Sequence, residues 1–546
     1  MSIAANSDLP ACITRDNLTG PYFPSTSRAM LAAVIALAAI FALTSFNRLN
    51  HTDLWGHVNF GRWIAEHRAL PAADPFSAAP SSTPMLHSAW LAQLAGYETQ
   101  HWLGSEGLVL GHALLMAAIA GVLMLAVVSR GAPASWAWAS GAAMFVLDLP
   151  IHGTIRPQLF GQLGAALFLL AAAQLPARRH PLVWLPIVAA LWVNLHGSIL
   201  MGIAILGAFA LGMTWQVLAE SGFKIGRALA DARLARAWLA LVLVLAGACL
   251  NPHGPLLLVR TASFGENTAL ANISEWQATR FSSLTGMLLL ASLAATVALV
   301  KLSPRKWDLF EILVLAVFAL ATFSAIRMLA WWALVWPVIA VPHAAAAWRR
   351  RTELHSVPDG LEIRPTQDVD EPSAMRTLMA MGVVFMTALL APPSFAFVSG
   401  QARGDAATMV SETPLYLADE MARRGLAGNI AAPMDWADYL VWKTDGRVRP
   451  LFYSHVHLAN PQARLDHGLI FQGDPAWLDK LREHQIQFVA VSRQRNPELM
   501  KAVLVDARGE RPGVRLIYQD QRCVLAEVLN PSSASQSNPP SGAKAD

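Results

Sequence analysis

Long apolar stretches separated by short polar clusters make up most of this chain. Eleven stretches predict membrane-spanning helices: 29–46, 107–128, 132–149, 157–175, 181–195, 198–218, 236–250, 285–301, 308–325, 328–347 and 376–397. The fifth and seventh are short, and a tight turn at Arg327 joins the ninth to the tenth. After about residue 405 the pattern changes. Apolar runs shrink to 428–432, 449–453, 486–492, 514–518 and 522–528. Helical patterns lie between some of them, as in LYLADEMARRG (415–425) and PAWLDKLREHQ (475–485). Such alternation predicts a small α/β domain over 405–530. The Pro/Ser-rich end, 531–546, reads as a disordered tail. The expected architecture is mainly α. A polar N-terminal segment (1–28) precedes a polytopic membrane domain (29–398), whose first outer loop is 47–106, and the α/β domain follows.

Composition strengthens the membrane reading. Hydrophobic residues are 54% of the chain and charged residues 14%, against roughly 25% charged in soluble proteins. The net charge is only +4, with basic residues in short clusters, which argues against nucleic-acid binding. Cys12, Cys249 and Cys523 are too scattered for a metal spacing or a disulfide framework. Met1–Arg28 lacks a short apolar core with a cleavage site, so the first apolar run is expected to stay as an anchor.

Charge asymmetry sets an expected orientation. One set of loops holds Arg130, Arg178, Arg179, Lys224, Arg227, Arg233, Arg236, Lys301, Arg305, Lys306 and Arg349–Arg351. The opposite set holds only Arg48, Arg62, Arg68, Arg156, Arg260, Arg280 and Arg327. The first set is expected to be cytoplasmic, with the N-terminus. An odd number of crossings then puts the C-terminal domain outside, which in a bacterium is the periplasmic side of the inner membrane.

Polar residues collect at the outer helix ends. The first outer loop carries His51, Asp53, His57, Arg62, Asp74, His87 and Trp90. The second carries Asp148, His152, Arg156 and Gln158, and the third Asn194 and His196. The fourth carries Asn251, His253, Glu275 and Arg280, and the fifth Arg327. Ionisable groups near a membrane are costly, so their default reading is functional. Five loops on one face predict one outward-opening cavity. Its arginines suit a phosphate, its carboxylates a proton or a cation, and its imidazoles either. Plainer roles stand beside these. Arginines at helix ends snorkel to headgroups, histidines in NLHG and NPHG can cap helices, and tryptophans form interface belts. Asp74 can be a turn residue before Pro75. His51, Asp53 and His57 have a spacing that a metal tolerates without requiring it.

The strings DLWGHVNFGRWI (53–64), LPAADPFS (70–77) and LHSAWLAQL (86–94) resemble a group of bacterial polytopic proteins placed with the GT-C glycosyltransferases. That group lies near the lipopolysaccharide sugar transferases and protein mannosyltransferases. RPQLFG (156–161), LWVNLHGSILMG (191–202), NPHG (251–254), ISEW (273–276) and MDWADYLVWK (434–443) extend the likeness over most of the chain. The resemblance implies transfer of a sugar from a polyprenyl-phosphate donor to an envelope glycan, lipid or protein. It implies Asp53 as general base or metal holder, with Asp74 as the second candidate acid. Arg156, Arg327 and Arg62 would neutralise the donor phosphate. His57, His87, Trp90, His152, Gln158, Asn194, His196, His253 and Glu275 would hold donor or acceptor. A divalent cation, Mg or Mn, is a conceivable cofactor. One departure is RPLFYSHVHLANPQARLD (449–466), which has His455 and His457 where some relatives have an acid followed by Gly-Arg. A flippase for a lipid-linked sugar and a non-catalytic assembly factor remain alternatives.

Overall fold

The computed structural model describes residues 26–50, 53–80, 84–151, 153–263, 273–355 and 373–529. The helices are, in order, α1 (Arg28–Ser45), α2 (Leu54–His67), α3 (Trp90–Ser129), α4 (Ala137–Asp148), α5 (Gln158–Gln174), α6 (Pro181–Leu195) and α7 (Ile199–Glu220). Next come α8 (Ile225–Leu229), α9 (Ala232–Ala248), α10 (Leu256–Ala262), α11 (Leu284–Leu302), α12 (Leu309–Ser324), α13 (Leu329–His355), α14 (Ala374–Leu390) and α15 (Pro392–Ser399). The C-terminal part adds α16 (Asp405–Thr408), α17 (Leu415–Arg423), α18 (Met434–Lys443), α19 (Pro461–Gln472), α20 (Trp477–Glu483) and α21 (Pro497–Asp506). Its strands are β1 (Gly428–Ala431), β2 (Val448–Pro450), β3 (Phe488–Ser492), β4 (Val514–Gln519) and β5 (Cys523–Val528).

Every expected apolar stretch is helical, and the chain is a multi-pass membrane protein. The expected count of eleven spans is not confirmed, and three of the apolar helices, Gln158–Gln174, Pro181–Leu195 and Leu309–Ser324, are shorter than 18 residues. Among the described residues, five helical segments are long and apolar enough to cross a membrane: Arg28–Ser45, Trp90–Ser129, Ile199–Glu220, Leu284–Leu302 and Ile326–Glu353. A sixth crossing needs α14 and α15 together, bent by 72°. The bend corrects the single helix expected at 376–397. Proline disfavours the helical region for the residue before it, and Ala391, before Pro392, is extended (φ −64°, ψ 129°). At ~1.5 Å per residue, the 12 residues of α4 fall short of a hydrocarbon core of about 30 Å. The helix expected at 107–128 starts at Trp90 instead and breaks at Gly104, whose φ of +64° costs glycine little. The expected outer loop 47–106 is thus largely helical, holding α2 and the start of α3.

Each short C-terminal apolar run contributes a strand. The sheet order is β2-β1-β3-β5-β4. β1 pairs in parallel with β2 and β3. β5 lies antiparallel to both β3 and β4. All of β3, FVAVS, is buried, as expected of a central strand covered on both faces.

The hinge of the arrangement is α2. Leu54, Trp55, Val58 and Phe60 share one buried cluster with Trp436, Tyr439 and Leu440 of the C-terminal domain. Trp55 meets Tyr439 edge-on at 5.4 Å and stacks on Trp442 at 5.5 Å. Asn59 donates to the Asp438 carbonyl at 2.9 Å. Two glycines permit this close fit. A Cβ on Gly56 would lie 2.5 Å from Asp438 Oδ1, and one on Gly61 would lie 2.0 Å from the Gln93 carbonyl of α3. Ion pairing from Arg403 to Glu106, at 2.6 Å, ties α3 to the segment leading into the domain.

Gly61→Ala should therefore push α2 off α3 and destabilise the protein by about 1–3 kcal/mol. Gly96→Ala is the control, because the nearest atom to its added Cβ is 4.0 Å away. Thermal unfolding in detergent should show a lower midpoint for the first variant only, and equal midpoints would refute the tight α2–α3 contact.

Candidate functional site

Four separate segments bring charged side chains together. Asp53 stands just before α2, and Arg156 in the turn ahead of α5. Glu275 and Trp276 occupy a 3-10 turn (Ser274–Trp276), and Arg327 a second one (Ile326–Met328). Backbone bonds align these two turns. Thr279 N–H donates to the Phe323 carbonyl at 3.1 Å, and Ile326 N–H to that of Gln277 at 3.0 Å.

Arg156 bridges two carboxylates. Its Nε lies 3.0 Å from Asp53 Oδ2 and its Nη1 lies 2.5 Å from Glu275 Oε2. Arg327 holds Glu275 more loosely, through Nη1 at 3.4 Å from Oε1. The Arg327 guanidinium also lies over the Trp276 ring at 4.3 Å, within cation–π range. Asp53 and Glu275 keep about 31% and 30% of their side-chain surface exposed, so the cluster is open to a ligand.

The two carboxylates titrate in opposite directions. Burial raises Asp53, and Glu275 adds to the rise against the pull of Arg156 and Arg327. Burial also acts to raise Glu275, yet Arg156 and Arg327 outweigh it and hold the group below its usual range. Environments that push a pair apart in this way separate a proton acceptor from a fixed anion.

Imidazoles surround the cluster. His57 follows Asp53 by one turn, its N–H donating to the Asp53 carbonyl at 3.0 Å. Its Nδ1 is 3.3 Å from Gln93 Nε2, and its ring is 5.1 Å from that of His455. His455 and His457 lie 5.8 Å apart. His196 Nδ1 is 2.7 Å from Ser198 Oγ. Beyond these, His87 and His253 stack at 5.3 Å, with the His87 N–H donating to His253 Nε2 at 3.2 Å. Trp90 Nε1 donates to Asn194 Oδ1 at 2.7 Å. Gln158 opens α5, half-buried.

Two expected residues do other work. Arg62 pairs with Asp445 at 3.2 Å and lies over Trp442 at 5.2 Å, so the C-terminal domain holds it rather than the carboxylate cluster. Its position, more than two helical turns past Asp53 on α2, explains this. Asp74 has both oxygens engaged in structure. Oδ1 accepts from Phe76 N–H at 2.9 Å and Ser77 N–H at 3.3 Å, and Oδ2 accepts from Tyr453 OH at 2.7 Å. His51 and His152 lie outside the described residues. Among the described residues no three His, Cys, Asp or Glu side chains are grouped to hold a metal. Asp53 and Glu275 are ion-paired to guanidinium groups.

The segment MDWADYLVWK hid one further acid. Asp438 is buried, its Oδ2 accepts from Ser454 N–H at 3.2 Å, and its Oδ1 has no hydrogen-bond partner among the described residues. Burial raises this carboxyl strongly. The available signal was an Asp among apolar residues on a helix whose partner face, Gly56, lies in the motif around Asp53.

The helical membrane bundle and the small α/β domain packed on α2 together make a fold shared with a solved membrane protein. The crystal structure of the Archaeoglobus fulgidus oligosaccharyltransferase in its apo form matches with a TM-score of 0.51 at 13% identity, covering 90% of this chain and 74% of that one. ArnT from Cupriavidus metallidurans bound to undecaprenyl phosphate matches with a TM-score of 0.47 at 15% identity, covering 93% and 98%. At such identities the likeness is one of fold. No family profile and no curated protein matches the sequence.

Burial pushes His457 from an ordinary 6.5 down to about 4 and His57 down to about 3. The unfolded chain therefore binds more protons below pH 6.5 than the folded one. The stability these neutral imidazoles allow is whole above pH 6.5 and lost as pH falls towards about 4. Burial raises Asp53, Asp74 and Asp438, which act in the opposite sense. The histidine effect must then be read as a difference. His457→Gln should lose less thermal stability between pH 7 and pH 5 than the parent protein, and identical pH slopes would contradict a buried neutral His457.

Proposed function

We propose that this protein is a membrane glycosyltransferase that moves a sugar from a polyprenyl-phosphate donor to a hydroxyl of an envelope glycan, lipid or protein on the non-cytoplasmic side. The observation that carries the reading is the meeting of Asp53, Arg156, Glu275 and Arg327 from four distant segments. The GT-C-like fold supports it.

The chemistry follows from the division of labour. Asp53, the raised carboxylate, takes the proton of the acceptor hydroxyl as its oxygen attacks the anomeric carbon. The bond from that carbon to the phosphate oxygen breaks, and the polyprenyl phosphate leaves with the electron pair. Arg327, held by the long 3.4 Å ion pair and the Trp276 ring, turns to the leaving phosphate at small cost. Arg156 keeps Asp53 and Glu275 in place, and Glu275 keeps both guanidiniums aligned. The cytoplasmic N-terminus and the periplasmic C-terminal domain follow from the positive-inside pattern and belong to the same proposal.

The test uses purified full-length protein with a panel of polyprenyl-phosphate sugars. General-base catalysis contributes typically about 10²–10⁴-fold, so Asp53→Asn should lower kcat at least about 100-fold with insertion and folding intact. Full activity in that variant would refute the assignment. Arg327→Gln should mainly raise KM for the donor. A bound donor with no turnover by the parent protein, for any acceptor, would instead favour a non-catalytic partner.

A further inference from the structure

A second polar site lies at the other end of the bundle. Arg130 follows the last residue of α3, and Asp308 caps α12. Arg130 Nη2 lies 2.5 Å from Glu311 Oε1 and 3.7 Å from Asp308 Oδ2. Glu311 is wholly buried and used up by the fold. Its Oε2 meets His343 Nε2 at 3.1 Å and accepts from Asp308 N–H at 3.1 Å. Trp307 covers His343 by stacking at 4.0 Å.

The arginines are not used up. The Arg130 side chain is only 7% exposed, yet its Nε has no hydrogen-bond partner among the described residues. Arg305 donates to the Arg130 carbonyl at 2.6 Å and touches Glu311 only at 3.5 Å, with 30% of its side chain exposed. Both line a cavity of about 180 Å³, together with Asp308 and Gln216. A single water needs only about 10–15 Å³, so this is no packing flaw.

Position and charge select the acceptor. The cavity sits where α3 and α5 end and α12 begins, the depth at which an apolar bundle meets lipid headgroups. Trp215, beside Gln216 on α7, is 54% exposed, as interface tryptophans are. The two guanidiniums suit phosphate oxygens. The two carboxylates balance them, so a bare anion gains less here than a group that also carries a positive charge. We propose that this cavity holds the headgroup of a zwitterionic, amine-bearing phospholipid. Arg305, the exposed guanidinium of the pair, donates to the phosphate, and Asp308 faces the amine.

Native mass spectrometry of the delipidated full chain tests this with added phosphatidylethanolamine or phosphatidylglycerol. Phosphatidylethanolamine should be retained in preference. Arg305→Gln should weaken retention about tenfold, the equivalent of one lost charge-assisted contact. Gln216→Trp, which fills the cavity from α7 and touches no ion pair of Arg130 or Arg305, should do the same. Equal retention by both variants would overturn the proposal, as would equal retention of the two lipids. Stabilisation by inorganic phosphate alone, matching that by lipid, would assign the cavity to a free anion and overturn the lipid reading.

Discussion

Two guanidiniums and two carboxylates withdrawn from bulk water must satisfy one another, and that requirement fixes where four distant parts of this chain can go. Exposed ion pairs are worth about 0–1 kcal/mol, while breaking a buried one costs about 3–5 kcal/mol. Arg156 and Arg327, each with 22% of the side chain exposed, lie between those limits. The cluster is firm enough to orient Asp53 and open enough to admit a ligand. It also ties the turn ahead of α5 to the 3-10 turns on either side of α11 and α12. The helices behind those turns are thereby placed with the site rather than independently of it.

The second constraint is steric. α2 must touch α3 on one face and the C-terminal domain on the other, and only glycine fits at positions 61 and 56. Through Gly56 the domain sends Asp438 and His455 down beside His57, one turn from Asp53. The domain is therefore part of the wall around the cluster, and not merely a cover above it.

Much of this could be seen in the sequence, for reasons that differ residue by residue. Apolar runs specify helices directly, so all eleven stretches were legible, as were the five short strands of the domain. Crossing number was not, since it depends on length and bends. α4 is too short, and the pair Pro392–Pro393 turns an apolar run by 72° without changing its hydropathy. The helix within the expected outer loop was not legible for a related reason. α2 is amphipathic and lies between two protein surfaces, so no long apolar run announces it. In the site, Asp53, Arg156, Glu275 and Arg327 were legible through sidedness. Arg62 shared that sidedness but not their place, because a helix carries it away from Asp53. Asp438 was missed because an Asp on a helix that also carries Asp435 and Lys443 looks like a solvent-facing residue until its partner surface is known.

Electrical neutrality gives the site its last property. With two positive and two negative groups, the cluster has no net charge to attract counterions. A phosphate that reaches Arg327 must compete with Glu275, and the 3.4 Å contact is the weakest in the cluster. Once that contact is exchanged for phosphate, Glu275 still holds Arg156 at 2.5 Å, so Arg156 still holds Asp53. The binding of one charge thus leaves the position of the other undisturbed. Extra negative charge nearby would further favour the protonated form of Asp53, so under the proposed function an arriving donor phosphate would make that carboxylate a better proton acceptor. A carboxylate bound symmetrically between both arginines could not respond in this way. The inequality of the two arginine contacts, rather than their number, is what suits the arrangement to group transfer.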